Sequence, residues 1–420
     1  METLPVTELA PALSADELEA RFADIAPPLN ADAAKAEADR CLYCYDAPCT
    51  IACPTHIDVP AFIKKIASGN MRGSARVILE ANPFAHSCAR ACPVDVLCEG
   101  ACVYHARGEA PIKIALLQRH AADHALETRP ALFSAGEPNG KRVAVIGAGP
   151  AGLSCARELC RWGYTVTCFE AKAQPGGLCT YGIAEYKLRP ETALAEVADI
   201  IDLGIELQTG VAVGRDIGFD QLLADYDAVF VGVGLEGSRE LGITDGNVEG
   251  VVEALDFIAT LKGQPYSDTK VGRSVVVIGG GNTAIDAVTQ AKRLGAERAT
   301  IVYRRGEADM PCYDYEYQLA RNDGCEFRFH ATPKAIVGTK HVVGLEVTTP
   351  DGNDVIPCDM IIKALGQDPA PGFDIPDDPR VFIGGDFSNR GAEIVNAAAE
   401  GMATAGEIDR HLKGVAGSDH

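Results

Sequence analysis

Residues 141–152 read Lys-Arg-Val-Ala-Val-Ile-Gly-Ala-Gly-Pro-Ala-Gly. The apolar run predicts a buried strand, and Gly147, Gly149 and Gly152 predict a tight turn into the helix that follows. Residues 165–170 are largely apolar again and predict a second strand. A strand, a glycine turn, a helix and a strand in this order predict a dinucleotide-binding unit, in which a pyrophosphate approaches the N-terminus of the helix.

An acidic residue at the end of the second strand supports this interpretation. Glu170 stands where a carboxylate accepts a hydrogen bond from a ribose 2′-hydroxyl. The alternative is a glycine-rich strand–helix turn that binds no ligand, and the position of Glu170 counts against it.

A second unit of the same kind follows along the chain. Residues 274–278 predict a strand, Gly279 and Gly281 predict the turn, and Asn282 and Thr283 begin the predicted helix. The chain therefore carries a duplicated nucleotide-binding pattern rather than a short-period repeat.

Two arginines bear on which nucleotide the second unit binds. Arg304 occupies the position that matches Glu170, with Arg305 beside it, and a cation there favours the 2′-phosphate of NADP. Glu307, Asp309 and Asp314 lie close by in the sequence, however, and the alternative is two arginines on a solvated turn. The choice between NAD and NADP stays open.

Eight of the 15 cysteines lie in two runs of short spacing. The runs are Cys41-x2-Cys44-x4-Cys49-x3-Cys53 and Cys88-x3-Cys92-x5-Cys98-x3-Cys102, with Pro54 and Pro93 each directly after a cysteine. Thiolates at this density, with Cys-Pro pairs, are typical of iron–sulfur clusters, and eight ligands would suit two four-iron clusters. Structural zinc is the alternative, because Cys-x2-Cys is also a zinc half-site, and disulfides are disfavoured in a large chain of this type.

Composition excludes several classes of partner. The net charge of −21 argues against a nucleic acid or an anionic membrane surface. The N-terminus lacks the basic and apolar regions of a signal peptide, and no apolar run approaches the ~20 residues of a membrane span. Free thiols and clusters both favour a reducing cytoplasm, which is the expected location.

Two further glycine motifs resemble those of two-dinucleotide flavoproteins. Pro175-Gly176-Gly177 follows the first unit, and Gly385-Asp386 precedes a helix near the C-terminus. In that family these motifs surround FAD. The resemblance implies that FAD binds the first unit, with Gly177, Gly385 and Asp386 contributing, and that NAD(P)H binds the second.

The predicted fold class is α/β. We expect a helical N-terminal domain with two 4Fe-4S clusters, because residues 1–128 carry helical periodicity that the cysteine runs interrupt, and then two Rossmann-like domains. The predicted boundaries are residues 1–133 for the iron–sulfur domain, 140–265 and 366–420 for a discontinuous FAD domain, and 266–365 for the NAD(P) domain.

The order of cysteine runs, FAD unit and NAD(P) unit resembles the small subunit of bacterial glutamate synthase and its relatives. These relatives include the flavin-bearing half of dihydropyrimidine dehydrogenase and the separate bacterial subunit that corresponds to it. The resemblance covers about residues 30 to 412. It implies that electrons pass from NAD(P)H to FAD and through two four-iron clusters to a second active site.

The resemblance also implies a ligand set that is laced across both cysteine runs. One cluster takes Cys41, Cys44, Cys49 and Cys102. The other takes Cys53, Cys92, Cys98 and Gln118. Cys88 then has no ligand role, whereas spacing alone would count it as a ligand.

Gln118 separates branches of the family. The glutamate synthase and transhydrogenase relatives carry a glutamate at this position, so the glutamine favours the pyrimidine branch. A neutral ligand should raise the cluster potential, because net charge is one determinant of that potential. The alternative is a surface helix residue without a role. NADP-using relatives also place a further arginine beyond the first pair, where Met310-Pro311-Cys312 stands here, and this favours NADH.

The resemblance implies an electron-input subunit of dihydropyrimidine dehydrogenase. A partner chain would supply an FMN and iron–sulfur barrel with the pyrimidine site, since no eight-fold strand–helix repeat is present. Lys187 is implied to lie near FAD and Gly366 near the nucleotide, and no general acid or base is expected in this chain. The alternatives are an input subunit of glutamate synthase or of a ferredoxin-linked transhydrogenase, and a binding module without turnover.

Overall fold

Short helices interrupted by cysteine loops begin the chain. The computed structural model describes residues 9–243, 248–369 and 373–414. The helices that precede the first sheet are α1 (Ala15–Arg21), α2 (Ala31–Asp39), α3 (Pro48–Ile51), α4 (Val59–Ala67), α5 (Met71–Ala81), α6 (Ala85–Ala91) and α7 (Ile114–Thr128). Side-chain caps set several of the starts: Asn30, Asp58 and Asn70 each accept a hydrogen bond from the first turn of the helix they precede.

A parallel five-stranded sheet follows this helical segment. Its order is β15-β4-β1-β2-β3. The strands are β1 (Arg142–Ile146), β2 (Thr165–Glu170), β3 (Glu206–Thr209), β4 (Ala228–Val231) and β15 (Val381–Ile383). The associated helices are α8 (Pro150–Arg161), α9 (Leu178–Tyr181), α10 (Pro190–Ile201), α11 (Phe219–Asp225), α15 (Asp386–Asn389) and α16 (Ile394–Leu412). Because β15 comes from the C-terminal part of the chain and pairs with β4, the predicted discontinuity of this domain is confirmed.

Helix α16 is rich in small residues for a steric reason. A Cβ atom at Gly401 would lie 2.1 Å from the Ala151 carbonyl oxygen in α8. The backbones of α8 and α16 approach so closely that only glycine fits at this point.

The second nucleotide-type sheet has the order β6-β13-β7-β8-β9, all parallel. Its strands are β6 (Val251–Glu253), β7 (Ser274–Ile278), β8 (Arg298–Val302), β9 (Glu326–Arg328) and β13 (Met360–Lys363), with helices α12 (Ala254–Lys262), α13 (Asn282–Arg293) and α14 (Asp314–Asn322). An antiparallel meander of β10 (Thr332–Gly338), β11 (Val342–Thr349) and β12 (Gly352–Pro357) and a short ladder of β5 (Gly237–Ser238) with β14 (Gln367–Asp368) complete the strands. The two glycine turns thus lie after β1 and after β7, as the sequence predicts.

Contacts divide the described residues into two compact units. One contains those within Ala26–Thr180, Pro190–Glu236 and Pro369–His420, and so joins helices α2 to α7 to the first sheet. The other contains those within Met1–Ile25, Tyr181–Arg189 and Gly237–Asp368. The domain boundaries expected from the sequence follow motifs rather than contacts and stay a prediction.

Among the helices that the structure describes, none combines the length and the apolar character needed to cross a bilayer.

Candidate cofactor sites

Four cysteines from both runs line one cavity in the helical segment. Cys41 and Cys44 precede α3, Cys49 lies within it, and Cys102 comes from the second run. The rest of the wall is mainly apolar, with Val59, Ile63, Ile112 and Ile114 among its side chains. Burial raises the pKa of the Cys49 thiol to about 11. A thiolate is therefore stable here only beside a compensating positive charge, which the iron of a cluster provides.

A second cavity collects the other predicted ligands. It is lined by Cys53, Cys88, Cys92, Cys98 and Gln118. Burial raises the pKa of the Cys98 thiol, as in the first cavity. The structure thus brings together both predicted ligand sets, and each cavity has the soft sulfur donors that iron–sulfur clusters require.

Cys88 lies in the second cavity although the family resemblance gives it no ligand role. Its sulfur accepts a hydrogen bond from the side-chain amide of Asn82 at 3.2 Å. A hydrogen bond with Cys92 and then burial raise the pKa of the Cys88 thiol. The second cavity therefore offers four thiols and one amide for the four positions of a cluster.

Gln118 is buried on α7 and has one of its two polar atoms fixed. Its Nε2 atom donates to the Ala85 carbonyl oxygen at 2.8 Å. A glutamate here would place a carboxylate oxygen against that carbonyl and lose the donor. This contact therefore favours an amide over a carboxylate at position 118.

The first glycine turn has the close backbone approaches that the sequence predicts. A Cβ atom at Gly152 would lie 1.8 Å from the Gly147 carbonyl oxygen, and one at Gly177 would lie 3.0 Å from the Cα atom of Gly149. Glu170 ends β2 beside this turn and accepts a hydrogen bond from the Ala148 N–H at 2.9 Å. The glycine turn and the segment at Gly177 therefore present backbone without side chains, which allows a pyrophosphate to approach the N-terminus of α8.

The C-terminal segment returns to the same turn. Gly385 has a φ of +72°, and its Cβ would lie 2.6 Å from the Cβ of Ala151 in the first turn of α8. The Gly385 N–H donates to the side chain of Glu400 at 2.8 Å. Glu400 lies on α16, and the sequence patterns do not indicate it. Burial raises the pKa of Asp386, which follows at the start of α15.

The second glycine turn is open on one side. A Cβ atom at Gly279 would lie 2.2 Å from the Ala364 carbonyl oxygen, whereas a Cβ at Gly281 meets no atom within 4 Å. The Asn282 side chain accepts a hydrogen bond from the Tyr313 N–H at 3.1 Å, and Thr283 is exposed. Space in front of Gly281 fits a nucleotide at the N-terminus of α13.

Gly366 adjoins the short ladder of the same unit. Its carbonyl accepts the Arg239 N–H at 3.1 Å, and the Arg239 guanidinium pairs with Asp368 at 3.1 Å. Gly366 has a φ of +92°, so a side chain at this position would be strained.

Arg304 and Arg305 are both exposed just beyond β8. The Arg305 guanidinium lies 5.5 Å from the centre of the Tyr303 ring. No ion pair of Arg304 is present in the described ranges 9–243, 248–369 and 373–414. The side chain is therefore available to an incoming phosphate.

We expect Arg304→Ala to raise the KM for NADPH about tenfold, roughly 1.4 kcal/mol, and to leave that for NADH unchanged. Only NADPH carries the 2′-phosphate. Steady-state dye reduction with each nucleotide measures this, and Arg298→Ala, an exposed arginine at the start of β8 that pairs with Glu326, is the matched control. Unchanged KM values for both nucleotides would make Arg304 a surface charge only.

Lys187 is buried in a triad that sequence patterns do not indicate. Its ammonium lies 2.6 Å from Asp286 on α13 and 2.6 Å from Glu316 on α14. These two carboxylates raise the pKa of Lys187 against the opposing effect of its burial. The ammonium is thus held within the unit of the second sheet, and its implied place beside FAD stays a prediction.

Among the described residues, no group of three or more His, Cys, Asp or Glu side chains is placed to hold a single metal ion.

Comparisons with known proteins match both halves of the chain. Residues 18–130 match the family described as dihydropyrimidine dehydrogenase domain II, 4Fe-4S cluster, and residues 141–374 match pyridine nucleotide-disulphide oxidoreductase. The NADPH glutamate synthase small chain of Escherichia coli K12 is 34% identical over 447 residues, covering 93% of this chain and 94% of the relative. The NAD-dependent dihydropyrimidine dehydrogenase subunit PreT of the same strain is 33% identical over 406 residues, covering 93% and 97%.

A solved structure agrees on the fold. Mycobacterium tuberculosis FprA in complex with NADPH has a TM-score of 0.56 and 18% identity over 68% of this chain and 88% of FprA. The predicted fold class, family and enzyme class are confirmed. The chain belongs to the pyridine nucleotide-disulphide oxidoreductase family, among the NAD(P)H-dependent flavin and iron–sulfur oxidoreductases that include glutamate synthase small chains and PreT subunits.

Proposed function

We propose that this chain is the electron-input subunit of an NAD(P)-dependent dihydropyrimidine dehydrogenase. It would pass electrons from NAD(P)H to a partner chain, an FMN and iron–sulfur barrel that reduces uracil or thymine. The observation that carries the proposal is Gln118, which lines the second thiol cavity and donates to the Ala85 carbonyl, a bond that a carboxylate cannot form. A relative named as a dihydropyrimidine dehydrogenase subunit matches over nearly the whole chain.

The proposed sites follow the domain boundaries and motifs expected from the sequence. FAD would be held within residues 140–265 and 366–420 by Gly147, Gly149, Gly152, Glu170, Gly177, Gly385 and Asp386. NAD(P)H would be held within residues 266–365 and by the adjoining Gly366, at Gly279, Gly281, Asn282, Thr283, Arg304 and Arg305. The clusters would take Cys41, Cys44, Cys49 and Cys102, and Cys53, Cys92, Cys98 and Gln118. Once bound, FAD supplies the step that converts hydride transfer from nicotinamide into single-electron transfer.

The chain's own residues contribute binding, orientation and insulation. The glycine turns let backbone N–H groups approach the phosphates, and the apolar walls around the thiols keep water from the clusters. No general acid or base is proposed on this chain, and the proton for the pyrimidine would come from the partner.

Apolar side chains beside the first thiol cavity support contact with a partner. Tyr45 is fully exposed, Ile51 is 67% exposed and Leu42 is 49% exposed, although Leu42 also lines that cavity. Exposed apolar groups around an electron-transfer site fit a docking face for another protein. A cytoplasmic complex is the proposed setting.

We expect uracil-dependent NADH oxidation when the cluster-replete chain is mixed with a barrel-type FMN subunit, and only dye reduction when it is alone. A Tyr45→Glu variant should keep dye reduction, but its uracil-dependent rate of NADH oxidation should fall about tenfold or more, because a charge is then buried at the interface with the partner. The readout is NADH absorbance, with Trp162→Glu, an exposed aromatic elsewhere, as the control.

A glutamate synthase small chain is the second candidate, since that relative is 34% identical and covers the chain equally well. Co-purification of a large amidotransferase subunit from the native host, with no response to uracil, would support this candidate and contradict the pyrimidine assignment.

A further inference from the structure

Helix α6 begins against a buried carboxylate from another helix. Glu196 on α10 is 2% exposed. Its oxygens accept hydrogen bonds from the His86 N–H at 2.7 Å, from the Ser87 N–H at 3.3 Å and from the Ser87 hydroxyl. The side chain thus satisfies N–H groups at the start of α6 that have no partner within the helix.

The same turn of α6 is tied to the second thiol cavity. Ala85 provides the carbonyl that accepts from Gln118, and the helix contains Cys88 and ends at Ala91, directly before Cys92. A displacement of the start of α6 would therefore move the partner of one proposed ligand and the backbone of another.

The charge of Glu196 has little compensation. His86, Arg129, Arg157, Asp199 and Asp202 line the same cavity as Glu196. Arg157 is occupied by Glu158 and by the Leu79 carbonyl, and Arg129 lies nearest to Asp199, at 3.5 Å. Across the described ranges of the chain, no lysine or arginine forms an ion pair with Glu196. Burial raises the pKa of Glu196, and the ring of His86, the Ser87 hydroxyl and the N–H groups of the first turn of α6 oppose that effect.

We propose that Glu196 is a positioning residue for the second cluster, which anchors α6 and lowers the reduction potential of that cluster through its negative charge. The inference rests on the proposed function, in that the second cavity must hold a 4Fe-4S cluster. Adding an electron near a fixed negative charge in a weakly polar interior is unfavourable, and nearby charge is an established determinant of cluster potentials. Ser87 donates both its N–H and its hydroxyl to Glu196, and the next residue, Cys88, lines the second cavity, so the carboxylate lies close to that cavity.

The test is Glu196→Gln in the full chain loaded with FAD and iron. A glutamine can still accept from the α6 N–H groups and donate to the Ser87 hydroxyl, so the helix keeps its anchor and loses only the charge. We expect the second cluster to become at least tenfold easier to reduce, about 59 mV for a one-electron couple, with the first cluster unchanged. Redox titration at pH 8 followed by electron paramagnetic resonance measures both; pH 8 is chosen because burial raises the pKa of Glu196.

Two further variants make the result specific. Asp199→Asn removes another carboxylate from α10 at the same cavity and should leave both potentials unchanged. Ser87→Ala removes a donor and keeps the charge, so it should shift the second cluster in the opposite direction, and it provides the test if Glu196→Gln does not fold. The signal that survives in Cys102→Ser identifies the second cluster.

The outcomes separate this inference from the proposed function. A wild-type chain that binds both clusters, with a second-cluster potential unchanged in every folded variant, overturns the role of Glu196 alone. A wild-type chain without two cluster signals, or without dye reduction, overturns the proposed function.

Discussion

Cys102→Ser is expected to lose one of the two clusters and all electron transfer to the partner, whereas Cys88→Ser is expected to keep both clusters. Cys102 lines the cavity of Cys41, Cys44 and Cys49, so its loss leaves three thiols for a cluster that needs four ligands. Cys88 shares its cavity with three other thiols and Gln118, which together complete a ligand set without it.

Iron and sulfide analysis with paramagnetic resonance of the dithionite-reduced protein measures this difference. FAD content and dye reduction by NADH serve as the check that the rest of the chain is intact, and Cys155→Ser, a buried thiol in α8, is the matched control. Equal iron loss in Cys88→Ser and Cys102→Ser would contradict the laced arrangement and return Cys88 to the ligands.

Local sequence predicts the parts of the fold that sterics dictate. At Gly147, Gly152 and Gly279 an added Cβ would lie within 2.5 Å of a backbone oxygen, so the turns require glycine and can be recognised from it. The apolar runs before these turns form β1 and β7 because strands buried on both faces need continuous apolar side chains.

Residues that meet only in the folded chain leave no such local pattern. Nothing in the spacing of Cys102 indicates that it joins the first run rather than the second; the family resemblance implied it, and the structure places it there. The partners of Lys187 come from α13 and α14, and Glu196 reaches α6 from α10. Asp286, Glu316 and Glu196 are each a single charged residue on a helix, a position that sequence alone assigns to solvent.

Gly281→Ala is expected to raise the KM for NADH and for NADPH at least tenfold, which corresponds to about 1.4 kcal/mol of lost binding. Gly281 has a φ of −88°, which alanine adopts readily, and its Cβ would meet no protein atom within 4 Å. The fold is therefore unaffected, and the new methyl group occupies only the space through which a pyrophosphate would approach the N-terminus of α13.

The chain offers a matched variant in its other unit. Gly149 holds the same position before α8, also with a φ of −88°, and its Cβ would meet only the Cα of Gly177, at 3.8 Å. Gly149→Ala should lose FAD and keep its iron, whereas Gly281→Ala should keep both, with cofactors that dithionite still reduces fully. Normal KM values in Gly281→Ala would mean that the second turn does not hold the nucleotide. Loss of FAD from Gly281→Ala instead of Gly149→Ala would exchange the two proposed sites, because each substitution adds a methyl group only at the turn that carries it.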